Sequence, residues 1–251
     1  MAMLKKTFII LLVLTGTILL QTKTFKINEK ENQSFEKTVN TLNEEQGKVS
    51  NTLLDVPLEN QFAGDVPLEN GCEITALSML LQFYGYKTNK NELAEKLAYV
   101  PVYEDEENDI HGDPRSGFVG NIYEGYLAMG AFVEPIAKVA KSVVQSDYRV
   151  VSSSNTDFYS LLQQVMNGVP VWIVTTVDFV IPTESDFMLW QTNNGSVSVT
   201  ALCHAVVITG VKDSDIYVND PYGQKEVVNL DVLKSIYEKM GSQSLYLAKK
   251  G

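Results

Sequence analysis

The chain has 251 residues, 45% of them hydrophobic, and a formal net charge of −11. This length and apolar content support one sizeable core, and the acidic balance argues against a nucleic-acid partner, because phosphate contacts need clustered Lys and Arg. The only cysteines are Cys72 and Cys203, and the only histidines are His111 and His204, so a multi-disulfide framework is excluded and few Cys–His couples exist.

The amino-terminal end carries a targeting pattern. Lys5 and Lys6 precede an apolar run from Phe8 to Leu20, which is shorter than the roughly 20 residues of a membrane span and typical of a signal-peptide core. We therefore predict a signal peptide or membrane anchor over residues 1–22, a flexible polar tether over 23–51, and a folded domain over 52–251. Cleaved export and an uncleaved anchor both remain open, and either predicts an extracellular or cell-surface location.

The first strong element of the domain is a helix that begins at Cys72. Apolar residues at positions 74, 77, 80, 81 and 84 recur at helical spacing, and Gly85 is a natural stop. A thiol in the first turn feels the positive end of the helix dipole, which favours the thiolate. Gly71 removes a side chain where a substrate backbone would approach. The alternative is a buried structural cysteine that packs as a small hydrophobe.

Helical patterns dominate the first part of the remaining domain, and strand patterns dominate the last part. The other predicted helices run from Asn89 to Ala98 with Asn89 as cap, from Gly120 to Met129, from Pro135 to Val144, from Asn155 as cap to Asn167, and from Leu230 to Met240 with Asn229 as cap. The predicted strands are 148–152, 170–179, 204–210, 215–219, 225–228 and 244–248, whereas 180–200 is predicted to be irregular with a turn at Asn194–Gly195. This order favours an α+β fold with an antiparallel sheet.

The predicted hairpin carries a histidine and an aspartate that could act together. A turn centred on Lys212 would place His204 directly opposite Asp220, with both side chains on one face of the sheet. A slip of one residue would move Asp220 to the other face. Cys203 would point away from His204, which makes a bridge to Cys72 awkward, although exported chains do form disulfides.

Together these residues make a plausible nucleophile, base and orienting acid. His204 would take the thiol proton of Cys72, and Asp220 would hold the imidazole and stabilise its charged form. The backbone N–H of Cys72 and the side-chain amide of Gln61 are candidate donors to an oxyanion. Taken singly, a core histidine, a turn aspartate and a surface glutamine are the plainer interpretations. The sequence predicts no metal site and no cofactor.

The same residues carry a family resemblance. The blocks Asn70–Leu81, Gly112–Phe118, His204–Gly210 and Val218–Pro221, together with Gln61, resemble the C39-like group of papain-fold cysteine peptidases over roughly residues 55–248. The resemblance implies a papain-like α+β fold, with a nucleophile helix packed on a C-terminal antiparallel sheet. By position it implies Cys72 as nucleophile, His204 as base, Asp220 as orienting acid and Gln61 as oxyanion donor.

The sequence therefore predicts an exported thiol hydrolase. It would cleave a peptide or related amide through an acyl-enzyme on Cys72, with His204 acting first as base and then as acid. An acyl or amide transferase would use the same residues, and a non-catalytic binding domain could retain the fold; both alternatives stay open. The predicted partners are a peptide or protein substrate and a membrane reached through the N-terminal segment, with no nucleic acid. The oligomeric state is not predicted.

Overall fold

A computed structural model describes residues 51–251 of the chain. The predicted signal peptide or anchor and almost all of the predicted tether lie outside these described residues. Residues 51–251 form one unit of their own. Within that unit, none of the helices has the length and apolar character needed to cross a membrane.

The described residues contain five α-helices and thirteen β-strands. The helices are α1 (Cys72–Phe83), α2 (Lys90–Ala94), α3 (Val133–Val143), α4 (Phe158–Met166) and α5 (Leu230–Lys239), with 3-10 turns at Val177–Phe179 and Glu184–Asp186. The strands are β1 (Thr52–Leu53), β2 (Tyr99–Val100), β3 (Tyr103–Asp105), β4 (Ile110–His111), β5 (Phe118–Val119), β6 (Tyr148–Ser153), β7 (Val171–Thr176), β8 (Met188–Thr192), β9 (Gly195–Val199), β10 (Cys203–Lys212), β11 (Asp215–Asp220), β12 (Gln224–Asn229) and β13 (Ser244–Lys249).

A seven-stranded antiparallel sheet is the frame of the molecule. Its order is β12-β11-β10-β7-β13-β6, with the short strand β1 also paired to β10. Strand β10 is buried from His204 to Val211, as expected for a central strand covered on both faces. The predicted α+β fold with an antiparallel sheet is confirmed.

Helix α1 packs against β10 and β7. Its residues from Cys72 to Leu81 are all buried, and each fully buried leucine contributes roughly 1.5–3 kcal/mol. The indole N–H of Trp172 in β7 donates to the carbonyl of Glu73 at 3.0 Å, which ties the first turn of α1 to the sheet. The helix ends as predicted, because Gly85 adopts a φ of +82° that other residues rarely tolerate.

Residues 180–200 were predicted to be irregular, and this prediction is wrong. They contain the β8–β9 hairpin of a four-stranded sheet with order β3-β4-β8-β9. Trp190, Val197 and Val199 form one buried cluster with Val119. Buried and exposed residues therefore alternate along β9 with a period of two. The ring of His111 stacks on Trp190 with centroids 4.0 Å apart, which gives His111 a packing role.

Two other helix predictions need correction. Residues 120–129 form no helix, because Gly120 and Gly125 both adopt a φ of +93° and break helical geometry. The cap of α4 is Asp157, whose side chain accepts from Ser160 N at 2.8 Å, so the helix begins after the predicted Asn155. Asn89 and Asn229 do cap α2 and α5 as predicted, although α2 already ends at Ala94.

Candidate active site

Cys72 lies in the first turn of α1, as predicted. Its Sγ is 3.2 Å from Oε2 of the neighbouring Glu73. The glycine that precedes it has a packing role, because a Cβ on Gly71 would fall 2.4 Å from Cβ of Leu68. Close packing against Leu68 is therefore one reason for a glycine here, and access for a substrate backbone stays a prediction.

His204 and Asp220 are hydrogen-bonded, with Nε2 and Oδ2 3.0 Å apart. The predicted register is wrong, however. Lys212 pairs with Asp215, so the turn is centred between Asp213 and Ser214 and not on Lys212, and the register shifts between Ile208 and Gly210. The extra residue at this β-bulge is Thr209. It returns Asp220 to the face of His204 as a diagonal neighbour.

The carboxyl of Asp220 is held at both oxygens. Oδ2 faces the His204 ring, and Oδ1 accepts from the backbone N–H of Tyr222 at 2.7 Å. The ring of Tyr222 also packs on the His204 ring, with centroids 4.8 Å apart and planes tilted by 48°. These contacts orient the imidazole so that Nε2 is hydrogen-bonded to Asp220. Nδ1 is then the ring nitrogen that can accept a thiol proton.

Three of the four predicted site residues line one cleft. Gln61, Cys72 and His204 border a cavity of about 150 Å³, and Asp220 reaches the same site through its hydrogen bond to His204. The loop between α1 and β1, the start of α1 and the start of β10 therefore converge as the sequence predicted.

Glu73 is a site residue that the sequence reasoning missed. Its side chain is only 2% exposed, Oε1 accepts from the backbone N–H of Ala131 at 2.9 Å, and Oε2 faces the sulfur. Burial raises the pKa of the Glu73 carboxyl above its ordinary value. The sequence feature that could have identified Glu73 is an acidic residue in the first turn of a mainly apolar helix.

The expected thiolate character of Cys72 is not found in this resting structure. Burial, followed by the negative charge of Glu73, raises the pKa of the Cys72 thiol well above its ordinary value. The backbone N–H of Ala205 donates to the sulfur, which lowers the pKa of the thiol and acts against the effects of burial and Glu73. Desolvation by burial is the largest of these causes, and it favours the neutral thiol over the thiolate.

Gln61 is 1% exposed and fixed at its backbone, where its N–H donates to the carbonyl of Pro221 at 2.7 Å. Its side-chain Nε2 donates to the carbonyl of Glu69 at 3.0 Å; a primary amide carries two N–H groups, so one donor is left. Its Oε1 is buried with no hydrogen-bond partner among residues 51–251. The role of Gln61 as an oxyanion donor stays a prediction.

Cys203 also borders the cleft, contrary to the expectation that it points away from His204. It stands at the first position of β10, where it pairs with Thr176 of β7, and its N–H donates to the carbonyl of Thr200. Both cysteines are free thiols. Among residues 51–251, no cluster of three or more His, Cys, Asp or Glu side chains could hold a metal ion.

Comparison with known proteins identifies the family of this chain. Residues 53–245 match the model of the Peptidase_C39 like family. The chain belongs to this family. The uncharacterized protein YvpB of Bacillus subtilis is 36% identical over 198 residues, which cover 78% of this chain and 76% of YvpB.

Solved structures of C39 peptidases are also similar. A candidate C39-like peptidase from Bacillus anthracis is 31% identical with a TM-score of 0.73, and the match covers 80% of this chain and 98% of that one. A double glycine motif protease from an AMS/PCAT transporter, solved with its leader peptide, is 14% identical with a TM-score of 0.43 over 80% of this chain and 95% of that one.

Membership in the C39-like family confirms the predicted papain-like α+β fold. In this C39-like chain helix α1, which begins at Cys72, packs on β10, the strand that bears His204. Family membership also supports a function of the cysteine-peptidase type.

Proposed function

We propose that this C39-like protein hydrolyses a peptide or related amide bond through a covalent intermediate on Cys72. The observation that carries the proposal is the 3.0 Å hydrogen bond between His204 Nε2 and Asp220 Oδ2 beside the cleft that Cys72 borders. His204 is 1% exposed, and a buried imidazole held by a buried carboxylate suits a base that must carry positive charge during the reaction.

The first chemical step forms the acyl-enzyme. Sγ of Cys72 attacks the substrate carbonyl carbon while its proton passes to Nδ1 of His204, and Asp220 stabilises the resulting imidazolium through Nε2. When the tetrahedral intermediate collapses, the C–N bond breaks and His204 returns the proton to the leaving amine. Because the pKa of Cys72 is raised, the base has to act on a thiol.

The second step releases the acid. His204 takes a proton from water, and the hydroxide attacks the thioester carbonyl. The C–S bond then breaks, and His204 returns its proton to Sγ of Cys72 to restore the thiol. In both steps the negative oxygen would accept hydrogen bonds from the backbone N–H of Cys72 at the start of α1 and from the second N–H of Gln61.

The proposed location follows from the N-terminal sequence. We propose that the segment of residues 1–22 exports the domain, either as a cleaved signal or as an anchor. The substrate would then be a peptide or protein outside the membrane.

The test is peptide-library hydrolysis by the full chain, with products identified by mass spectrometry. We expect cleavage that falls more than 1,000-fold in Cys72→Ala (on the order of the loss on removing a catalytic nucleophile) and persists in the control Ser142→Ala, at an exposed position of α3. Iodoacetamide should alkylate Cys72 at a rate that depends on His204. A protein that cleaves no library peptide, and whose Cys72 is alkylated at the same rate in the wild type and in His204→Ala, is instead a binding domain.

A transferase would use the same three residues with another acceptor. Adding glycylglycine to the cleavage reaction separates the two chemistries. A hydrolase yields the free acid as its main product, whereas a transferase yields the extended amide. Dominant transfer at millimolar acceptor would replace hydrolysis as the proposed reaction.

A further inference from the structure

The outer edge of strand β9 is unpaired in the four-stranded sheet, where β9 is the terminal strand. Its hairpin with β8 has a loop of two residues, and Thr192 pairs with Gly195 while Trp190 pairs with Val197. Hydrogen-bonded and non-hydrogen-bonded pairs alternate along an antiparallel ladder, and the pair next to a two-residue loop is hydrogen-bonded. The N–H and C=O groups of Ser196 and Ser198 therefore point away from β8.

A cavity runs along this edge. It has a volume of about 420 Å³, and all five consecutive residues from Ser196 to Thr200 border it. Side chains of successive strand residues point to opposite faces of a sheet, so five neighbours in a row can border one cavity only along the backbone edge. What faces the cavity is the row of main-chain donors and acceptors on β9.

The cavity adjoins the candidate active site. Met129, Thr200 and Cys203 border both this cavity and the cleft that contains Cys72. A ligand that follows the edge of β9 towards Thr200 thus arrives beside His204, which directly follows Cys203 in β10.

The walls of the cavity are mainly apolar. Phe132, Val199 and Met240 contribute carbon surface, and the amide of Gln243 is already used, because Oε1 accepts from Val133 N at 2.9 Å and Nε2 donates to the carbonyl of Met240 at 3.2 Å.

The charged groups on the walls are of both signs. Arg115, Glu134 and Lys239 stand around the cavity, and the Nε of Arg115 is bound to Asp113 at 2.8 Å. Such a mixture of charges does not select a charged ligand. The volume falls within the range of sites that bind apolar groups.

We propose that an unfolded peptide binds as an added strand along the free edge of β9, with a large apolar side chain in the adjoining cavity. This inference rests on the proposed function and names its substrate class: extended peptides with an aliphatic or aromatic residue near the bond that is cleaved. Main-chain hydrogen bonds to Ser196 and Ser198 would provide binding, and the cavity would provide selectivity, as in other cases of strand addition.

The test uses N-acetylated tetrapeptidyl chloromethyl ketones, which are otherwise glycine and carry leucine or aspartate at one position. Sγ of Cys72 displaces chloride, so the inactivation rate reports peptide binding next to the nucleophile. In the full chain we expect leucine to give a rate at least tenfold above aspartate at one position. Replacing the amide that faces β9 by an ester removes one N–H and should lower the rate about tenfold.

A backbone variant tests the edge itself. Ser198→Pro removes the outward N–H, and proline is tolerated on edge strands because such an N–H is not used by the ladder. Ser198→Ala retains it. For each variant the rate of inactivation by the peptide ketone is divided by the rate of iodoacetamide alkylation at Cys72. We expect this normalised rate to be about tenfold lower in Ser198→Pro than in Ser198→Ala.

The outcomes separate this inference from the proposed function. Equal normalised rates for the two Ser198 variants, together with equal rates for amide and ester peptides, would overturn strand addition while Cys72 still reacts. Equal rates for leucine and aspartate at every position would overturn the apolar site. A Cys72 whose rates with the peptide ketones and with iodoacetamide are the same in the wild type and in His204→Ala would overturn the proposed function.

Discussion

His204 and Asp220 share a face of the sheet because strand β10 carries one extra residue, Thr209. The register at the turn, Lys212 opposite Asp215, would place Asp220 opposite Val207 if it continued unbroken; the observed pair is Val207 with Asn219. The side-chain period of a strand is two, so this shift of one residue exchanges the faces. The Oγ1 of Thr209 donates to the carbonyl of Tyr217 at 3.2 Å and so bridges the two strands at the bulge.

The Asp220 carboxylate should matter for catalysis far more than other acids of its strand. Asp220→Ala removes the acceptor of His204 Nε2 and leaves the ring without its orienting partner. We expect kcat to fall at least about 100-fold, since loss of the equivalent orienting acid in serine proteases costs about 10⁴. Asp215→Ala at the exposed start of β11 is the control, measured by hydrolysis of the same peptide. Equal activities would mean that Asp220 serves only the hairpin.

Replacing Glu73 should make the thiol more reactive. The charge of Glu73 and its hydrogen bond to Sγ both raise the pKa of Cys72, so Glu73→Gln lowers that pKa and increases the thiolate fraction at any pH below it. The pH profile of iodoacetamide alkylation at Cys72 should move to lower pH. The exposed Glu92→Gln on α2 should leave the profile in place. A profile that Glu73→Gln does not move would contradict the contact between carboxyl and sulfur.

The same substitution should change how stability depends on pH. Burial raises the pKa of Glu73 above 4.5, so the folded chain binds this proton more tightly than the unfolded chain does. The wild type therefore loses stability as pH rises from about 4.5 through the folded pKa, and the loss is complete above it. Glu73→Gln lacks this loss. Its advantage in free energy of unfolding, measured with urea, should grow between pH 5 and pH 8; an advantage independent of pH would refute the assignment.

Gly130 should be far less tolerant of substitution than another glycine of similar conformation. Gly130 has a φ of +79°, and a Cβ there would fall 2.1 Å from Oε1 of Glu73. Gly168 has a φ of +86°, and a Cβ there would meet nothing within 4 Å.

We expect Gly168→Ala to cost about 1–2 kcal/mol for the left-handed conformation and Gly130→Ala roughly 1–3 kcal/mol more for the clash. Urea unfolding measures both. The Gly130 variant should also change the alkylation rate of Cys72, because Glu73 must move away from the sulfur. Equal costs at the two positions would show that Glu73 is not held against Gly130.

Gln61 should act on the chemical step if its amide donates to the oxyanion. Gln61→Met keeps the volume of this buried side chain but has no N–H. We expect kcat to fall about 100- to 1,000-fold, the usual cost of an oxyanion donor, while iodoacetamide alkylation of Cys72 persists. An unchanged kcat would assign Gln61 to packing alone.

Local signals were sufficient for the elements that carry the site. The apolar spacing of α1, the stop at Gly85 and the caps at Asn89 and Asn229 all act within a few residues, and the structure agrees with each. The helix predicted over 120–129 failed because two glycines with positive φ outweighed its apolar spacing. The β8–β9 hairpin was missed because Met188 and Leu189 are exposed and Thr192 is buried, so apolar and polar residues do not alternate regularly along β8.

The amino-acid order alone was enough to choose Cys72, His204, Asp220 and Gln61, because the chemistry of a residue and the period of its own segment are local properties. Contacts between distant segments decided the rest: the bulge at Thr209 that turns Asp220 towards His204, and the burial that keeps the sulfur protonated beside Glu73. Strand register and desolvation depend on which surfaces meet in the folded chain, and no stretch of sequence carries that information within itself.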